Sequence, residues 1–178
     1  MKKYLIIFSA GLIGLASCSD KKESGGMSET TKKNLEAHHA ISKAFETKDF
    51  SKIGDYIATD AVDYSGEMGP VRGLDSIKAT FERMSAMMTQ NKHEILKELA
   101  DDEYVMSWMK FTGVCNVDMP EMNMKKGQPI NTQSIEMSQY KDGKAIAHWT
   151  FMEPGEVMKM MGMDKMPPPA TDNKTDTT

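Results

Sequence analysis

Three kinds of side chain in this sequence could do chemistry: imidazoles, the carboxylates that can pair with them, and an unusual number of thioethers. The 178 residues include 18 methionines, crowded into Met119-Pro120-Glu121-Met122-Asn123-Met124 and into Met158, Met160, Met161, Met163 and Met166. Closely spaced thioethers can hold Cu(I), a soft ion that prefers sulfur to carboxylate, so Met119, Met122 and Met124 are candidate metal ligands. Methionine is also a flexible filler of cores and of adaptable apolar pockets, and at a pocket rim the same cluster would serve that purpose instead. His38 and His39 are sequence neighbours, so they point in different directions and cannot form the metal pair that i,i+4 spacing gives. His148 sits in an alternating run, with Ile146, His148 and Thr150 on one face and Ala147, Trp149 and Phe151 on the other. The second face is the more apolar and is expected to line the core or a pocket, which puts His148 outside. Asp63 and Tyr64 are also adjacent on a strand, so only one of them can enter a pocket. No Gly-rich phosphate loop, nucleophile elbow or paired-cysteine motif is present, so neither a nucleotide cofactor nor a serine-triad hydrolase is supported, and no cofactor is implied.

The elements that must position these residues are legible from periodicity. Ser28 or Thr30 can cap a helix running to about Thr47, with Leu35, Ile41, Ala44 and Phe45 as its apolar stripe. A shorter helix is expected from Ser51 to about Ile57, then a strand from Ala61 to Ser65 closed by a turn through Gly66, Gly69 and Pro70. From Gly73 to Met88, Ile77, Phe81, Met84 and Met88 recur on one helical face, a stripe that reads first as core. Ile95 to Leu99, Tyr104 to Cys115 and Asn131 to Tyr140 follow as strands, the first two joined through Asp101-Asp102-Glu103. Lys141-Asp142-Gly143-Lys144 offers two positive-φ residues for a type I′ turn, which predicts a hairpin. After Pro154, Val157, Met160 and Met161 fall at helical spacing, and Gly162 can end a short helix. The fold class is therefore α+β.

Both ends of the chain lie outside this domain, which spans about residues 29–165. Lys2 and Lys3 precede an apolar run from Tyr4 to Leu15, too short to span a bilayer and shaped like a secretory signal over residues 1–17. Leu15-Ala16-Ser17-Cys18 resembles the lipobox of bacterial lipoproteins. That resemblance implies lipidation of Cys18 and a membrane tether outside the cytoplasm, and Ser19 favours the outer membrane of a Gram-negative cell. Residues 18–28 form a polar, Gly-containing linker, and residues 166–178 a Pro-led polar tail expected to be disordered. Removal of Lys2 and Lys3 leaves 20 basic against 26 acidic residues, a formal charge of −6. An acidic domain without a basic stripe argues against nucleic acid as a partner. With Cys18 lipidated only Cys115 remains, so no intrachain disulfide can form and stability must come from the core.

The domain resembles the NTF2-like superfamily in its SnoaL-like, polyketide-cyclase branch, from about Asn34 to Gly162. The residues that carry the resemblance are Val71-Arg72-Gly73-Leu74-Asp75-Ser76-Ile77, Gly127-Gln128-Pro129, the run Tyr140 to Trp149, and Met158 to Gly162 as the closing helix. The resemblance implies a cone: a curved, mostly antiparallel sheet wrapped over N-terminal helices, a short C-terminal helix, a pocket at the wide end, and a homodimer across the sheet. Enzymes of this group use a pocket carboxylate or His to move a proton next to a carbonyl. Asp63 lies on the strand where isomerase-like relatives place their base. Glu153, four residues after Trp149, stands where cyclase-like relatives carry Asp and is one methylene longer. Asp63, His148 and Glu153 are thus the catalytic candidates, and Tyr64, Phe81, Trp108, Phe111, Tyr140 and Trp149 the expected pocket wall.

A fold shared by enzymes and non-enzymes cannot settle function. The sequence favours a lipid-anchored cone whose apolar pocket binds a small hydrophobic or amphipathic ligand without chemistry. The alternatives are a cofactor-independent acid–base enzyme, a Met-loop Cu(I)-binding protein, and a dimeric interaction module with an occluded pocket.

Overall fold

A computed structural model describes residues 26–160, except Glu67 and residues 121–123. The expected signal segment, Cys18, most of the linker, Met122, residues 161–165 and the C-terminal tail lie outside the described residues. Helix α1, Glu29–Thr47, begins where the Ser28 hydroxyl accepts from the Thr31 amide at 3.0 Å and ends at Lys48 in the left-handed region. Capping of this kind satisfies one of the four amides that a helix start leaves without a partner. The second expected helix is only a 3-10 turn, Ile53–Asp55. Helix α2, Leu74–Ala86, keeps Ile77 and Phe81 buried, whereas Met88, expected on the same stripe, already belongs to the next strand.

Six strands form one mixed sheet: β1 (Ile57–Asp63), β2 (Val71–Arg72), β3 (Met88–Ala100), β4 (Tyr104–Cys115), β5 (Pro129–Lys141) and β6 (Lys144–Phe151). Their order is β2-β1-β6-β5-β4-β3, antiparallel throughout except that β1 runs parallel to β6. A short helix α3, Pro154–Met160, closes the described chain. Three strands differ from expectation, the first being β1, which runs Ile57–Asp63 instead of Ala61 to Ser65. β2 was expected only as the lead-in to α2, and β3 starts seven residues before Ile95. The polar run Thr89 to Glu94 carries no alternation of its own; it is a strand because β4 supplies its partners, and its charges suit an edge position.

The hairpin between β5 and β6 positions the site. Asp142 and Gly143 both have positive φ, 55° and 77°, as a type I′ turn requires. Lys141 pairs with Lys144 and Tyr140 with Ala145, but Gln139 then pairs with Ala147, leaving Ile146 as an extra residue on β6. Because side chains alternate with period two, this bulge exchanges the faces of everything after it. Without it Glu136 would face Trp149; with it Glu136 faces Thr150, and His148 shares their side.

The main core lies between α1, α2 and the concave face, built on Phe50, Ile53, Ile57, Ile77, Phe81 and Val105, all nearly inaccessible. Each such side chain contributes roughly 1.5–3 kcal/mol. A smaller cluster of Cys115, Met124 and Ile130 packs at the far end of β4 and β5. Between the clusters the concave face is not filled.

Candidate functional site

The unfilled space is a cavity of about 350 Å³. Its wall is mostly apolar, with Phe45, Phe81, Phe111 and the thioethers of Met84, Met109, Met119 and Met124 among its members. Three ionisable groups enter at the other side: Asp63 from the end of β1, Glu136 from the middle of β5, and His148 from β6 between them. His148 Nδ1 lies 3.0 Å from Asp63 Oδ1, and Nε2 lies 3.0 Å from Glu136 Oε2. The imidazole is therefore gripped at both nitrogens.

Each carboxylate is itself held. The Ser65 amide donates to Asp63 Oδ1 at 2.9 Å, and the Ser65 hydroxyl donates to the same oxygen. The Thr150 hydroxyl donates to Glu136 Oε2 at 2.7 Å and the Ser134 hydroxyl to Oε1 at 2.5 Å. Among the described residues Asp63 Oδ2 makes no hydrogen bond, which leaves its lone pairs free on a residue that lines the cavity. Burial works against charge on all three groups, but their mutual hydrogen bonds and opposite charges outweigh it. His148 is raised to about 9, and Asp63 and Glu136 are both held below the usual carboxylate range. At neutral pH the triad is carboxylate, imidazolium, carboxylate, with a net charge of −1 facing an apolar space.

The remaining imidazoles of the wall are neutral. Burial brings His38 down to about 4; its Nδ1 meets the Tyr140 hydroxyl at 3.2 Å and its Nε2 the Ser107 hydroxyl at 3.0 Å. Ser107 donates in turn to Glu98, which pairs with His39, so this chain fixes α1 to the sheet. Burial also lowers His93.

The expected site residues fall into distinct groups. Asp63 and His148 come together and Glu153 does not: it is exposed, and its carbonyl accepts from the first amides of α3. Phe81 and Phe111 line the cavity. Tyr64, Trp149 and Trp108 do not; the bulge gives the reason for Trp149, whereas Trp108 faces outward with Ile135 by the plain alternation of β4 and β5. Of the β6 face expected inside, Trp149 and Phe151 lie outside, where Trp149 stacks on Tyr64 with centroids 5.1 Å apart, while Ala147 still reaches the cavity wall; Trp108 is 49% exposed. Tyr140 is buried in the core beneath His38 rather than in the wall. Met119 and Met124 pair by backbone hydrogen bonds and line the cavity. No group of three or more His, Cys, Asp or Glu side chains among the described residues is arranged to hold a metal ion. Sequence reading missed Glu136, because β5 carries its polar residues Thr132, Ser134, Glu136 and Ser138 toward the cavity and Ile135 away from it. The one signal was that alternation itself, which the rule of apolar residues inside inverts.

Residues 36–159 match the SnoaL-like polyketide cyclase family. The chain belongs to that family. Solved structures agree in fold with this SnoaL-like domain. A SnoaL-like polyketide cyclase candidate from Jannaschia superposes with a TM-score of 0.68 at 12% identity, covering 81% of this chain and 99% of that one. IdmH, a polyketide cyclase candidate from Streptomyces antibioticus, gives 0.61 at 17% identity, over 72% and 98%. An LEH-like epoxide hydrolase of M. tuberculosis gives 0.60 at 14% identity, over 74% and 90%. At these identities the likeness is one of fold. A search of curated protein sequences finds no match.

Proposed function

We propose that this SnoaL-like domain is a cofactor-independent acid–base enzyme acting on a small, largely apolar substrate that carries a carbonyl group. The observation that carries the reading is His148 held between two carboxylates in the wall of an apolar cavity. Asp63 Oδ2, free of hydrogen bonds among the described residues, is the base that removes a proton next to the carbonyl. The His148 imidazolium supplies positive charge to the oxygen on which negative charge develops, and it gives that oxygen the Nδ1 proton once Asp63, neutralised by the proton taken at Oδ2, releases its hold on Nδ1–H. Glu136 keeps that imidazolium charged and oriented. Apolar walls strengthen each of these interactions by excluding water.

A direct test uses 4-phenylbutan-2-one, an enolisable ketone small enough for the cavity, and follows deuterium incorporation at its α carbons in D₂O by NMR. Protein-dependent exchange is expected, reduced about 10²-fold or more by Asp63→Asn and by His148→Gln, in line with general acid–base contributions. No protein-dependent exchange would leave binding without chemistry as the better reading of the cone, and exchange that survives both substitutions would remove Asp63 and His148 from the chemistry. The same proposal places the domain in the cell envelope through Cys18. It also places a second copy against the outer sheet face, where Trp108, Ile135 and Phe151 lie in one cross-strand row at 49%, 39% and 51% exposure. A monomeric mass in solution would remove the second copy. Cu(I) binding by Met119, Met122 and Met124 competes with the roles of Met119 and Met124 in the wall, and equal Cu(I) affinity after their replacement by Leu would remove it.

A further inference from the structure

The charges that face the cavity do not cancel. Asp63 Oδ1 and Glu136 Oε2 lie on opposite nitrogens of His148, each at 3.0 Å, and an imidazole donates from both nitrogens only when it is protonated. The other partners of the two carboxylates are donors as well: the amide and hydroxyl of Ser65 on Asp63, and the hydroxyls of Ser134 and Thr150 on Glu136. Such surroundings favour ionised carboxylates, so the hydrogen bonds alone set two negative charges against one positive. Among the described residues no lysine or arginine lines the cavity, and burial keeps the two further imidazoles of its wall, His38 and His93, neutral. One negative charge is left without a counter-charge beside a largely apolar space.

That charge can be reached. The Asp63 side chain keeps 8% of its surface open and the His148 side chain 28%. Asp63 Oδ2 accepts no hydrogen bond among the described residues, yet it is not one of the partnerless polar atoms that are closed to solvent, which are Asn34 Oδ1, Asn91 Oδ1 and His93 Nδ1. Oδ2 is thus an open acceptor on a residue of the cavity wall, while Oδ1 is taken up by His148 and Ser65. A charge beside an apolar space is costly unless a partner of opposite sign shares that space. A hard metal cation would need six or more oxygen ligands, and no group of three or more His, Cys, Asp or Glu among the described residues is arranged to hold one. An organic ammonium needs only the one open carboxylate oxygen, and its body gains from burial against the apolar wall.

We infer that the cavity takes a lipophilic amine in its ammonium form, with the ammonium donating to Asp63 Oδ2 and the apolar body lying against Phe45, Phe81 and Phe111. The same uncancelled charge turns away carboxylates of like shape, because their desolvation is not offset by any cation in the wall. The inference stands on the charges of the triad and on the open oxygen, not on the acid–base reading. The two meet at one atom, since that reading uses Asp63 Oδ2 as the base, so an ammonium seated there blocks proton removal.

The test compares 4-phenylbutan-2-amine, 4-phenylbutan-2-one and 3-phenylpropanoate, which share size and shape and differ in the charge at one end, by calorimetric titration of the full chain at pH 7, where an alkylamine is protonated. The wild-type protein is expected to bind the amine about tenfold more tightly than the ketone, and the propanoate about tenfold more weakly or worse. Asp63→Asn, and separately Glu136→Gln, each remove one negative charge and should bring the amine-to-ketone ratio toward one. Ketone affinity in both variants should stay within about twofold of wild type, which reports that the cavity is intact. Equal wild-type affinities for amine and ketone, tighter binding of the propanoate, or an amine preference retained in both variants would overturn the ammonium site. If a variant loses every ligand through misfolding, the wild-type order decides alone. An amine preference without α-deuterium exchange would sink the acid–base reading and leave the ammonium site standing; exchange without the preference would sink only the ammonium site.

Discussion

At the scale of the residue, the account turns on one imidazole. A histidine on a half-buried strand is ordinarily a neutral or surface group, and nothing in the run Ala145 to Phe151 marks His148 otherwise. Its two carboxylate partners come from positions 85 residues before and 12 residues before it, and sequence alone does not bring them together. Asp63 was legible as a candidate through the resemblance to isomerase-like relatives, which place their base on that strand; alternation added only that it or Tyr64, not both, enters the pocket. Glu153 was not the partner, because it lies past the strand, at the start of α3. A His148 titration by NMR should have its midpoint near 9, well above the ordinary 6.5. Asp63→Asn and Glu136→Gln should each lower that midpoint by removing one hydrogen-bonded negative charge. A wild-type midpoint near 6.5 would mean that the clamp is not formed in solution.

At the scale of the element, most of the chain was readable and one residue was decisive. The cap at Ser28, the Ile77–Phe81 face of α2, the β4 span and the Asp142-Gly143 turn all follow from local chemistry, and the structure places them where that chemistry predicts. What local chemistry does not encode is the bulge at Ile146, a property of the β5–β6 pair that reverses which face of β6 meets the cavity. The N-terminal half of β3 was illegible for a related reason, since it is held by β4 rather than by a pattern of its own. Deletion of Ile146 should remove the bulge and keep the Gln139–Ala147, Ser138–His148 and Glu136–Thr150 pairs, so that His148 stays on the side of Glu136. The expected result is a folded variant with a His148 midpoint still near 9 and the Trp149–Tyr64 stack still visible in near-ultraviolet dichroism. A midpoint near the ordinary histidine value in that variant would show that Ile146 is not the residue that sets the register.

At the scale of the whole molecule, the same three charges tie stability to pH. His148 has a raised folded pKa, so its contribution is complete below about 6.5 and is lost as pH rises through about 9. Asp63 and Glu136 have lowered folded values, so theirs is present above the usual carboxylate range and is lost as pH falls through the lower folded values. The contribution of the triad should therefore be present between roughly pH 5 and 6.5 and fall by roughly 3 kcal/mol by pH 10, counting the shared interaction once, while the buried neutral His38 and His93 weaken the fold as pH falls below about 6.5. Urea unfolding at pH 7 and pH 10 measures this, and the Asp63→Asn, Glu136→Gln double variant should lose most of the difference. The measurement that bears most directly on the proposed chemistry is the pH dependence of α-deuterium exchange into 4-phenylbutan-2-one. With Asp63 as base and the imidazolium as acid, the rate should be level through neutrality and decline above about pH 9 as His148 loses its proton. A rate that continues unchanged through pH 9 to 10, or one that is the same in His148→Gln, would contradict the assignment of the triad as an acid–base centre.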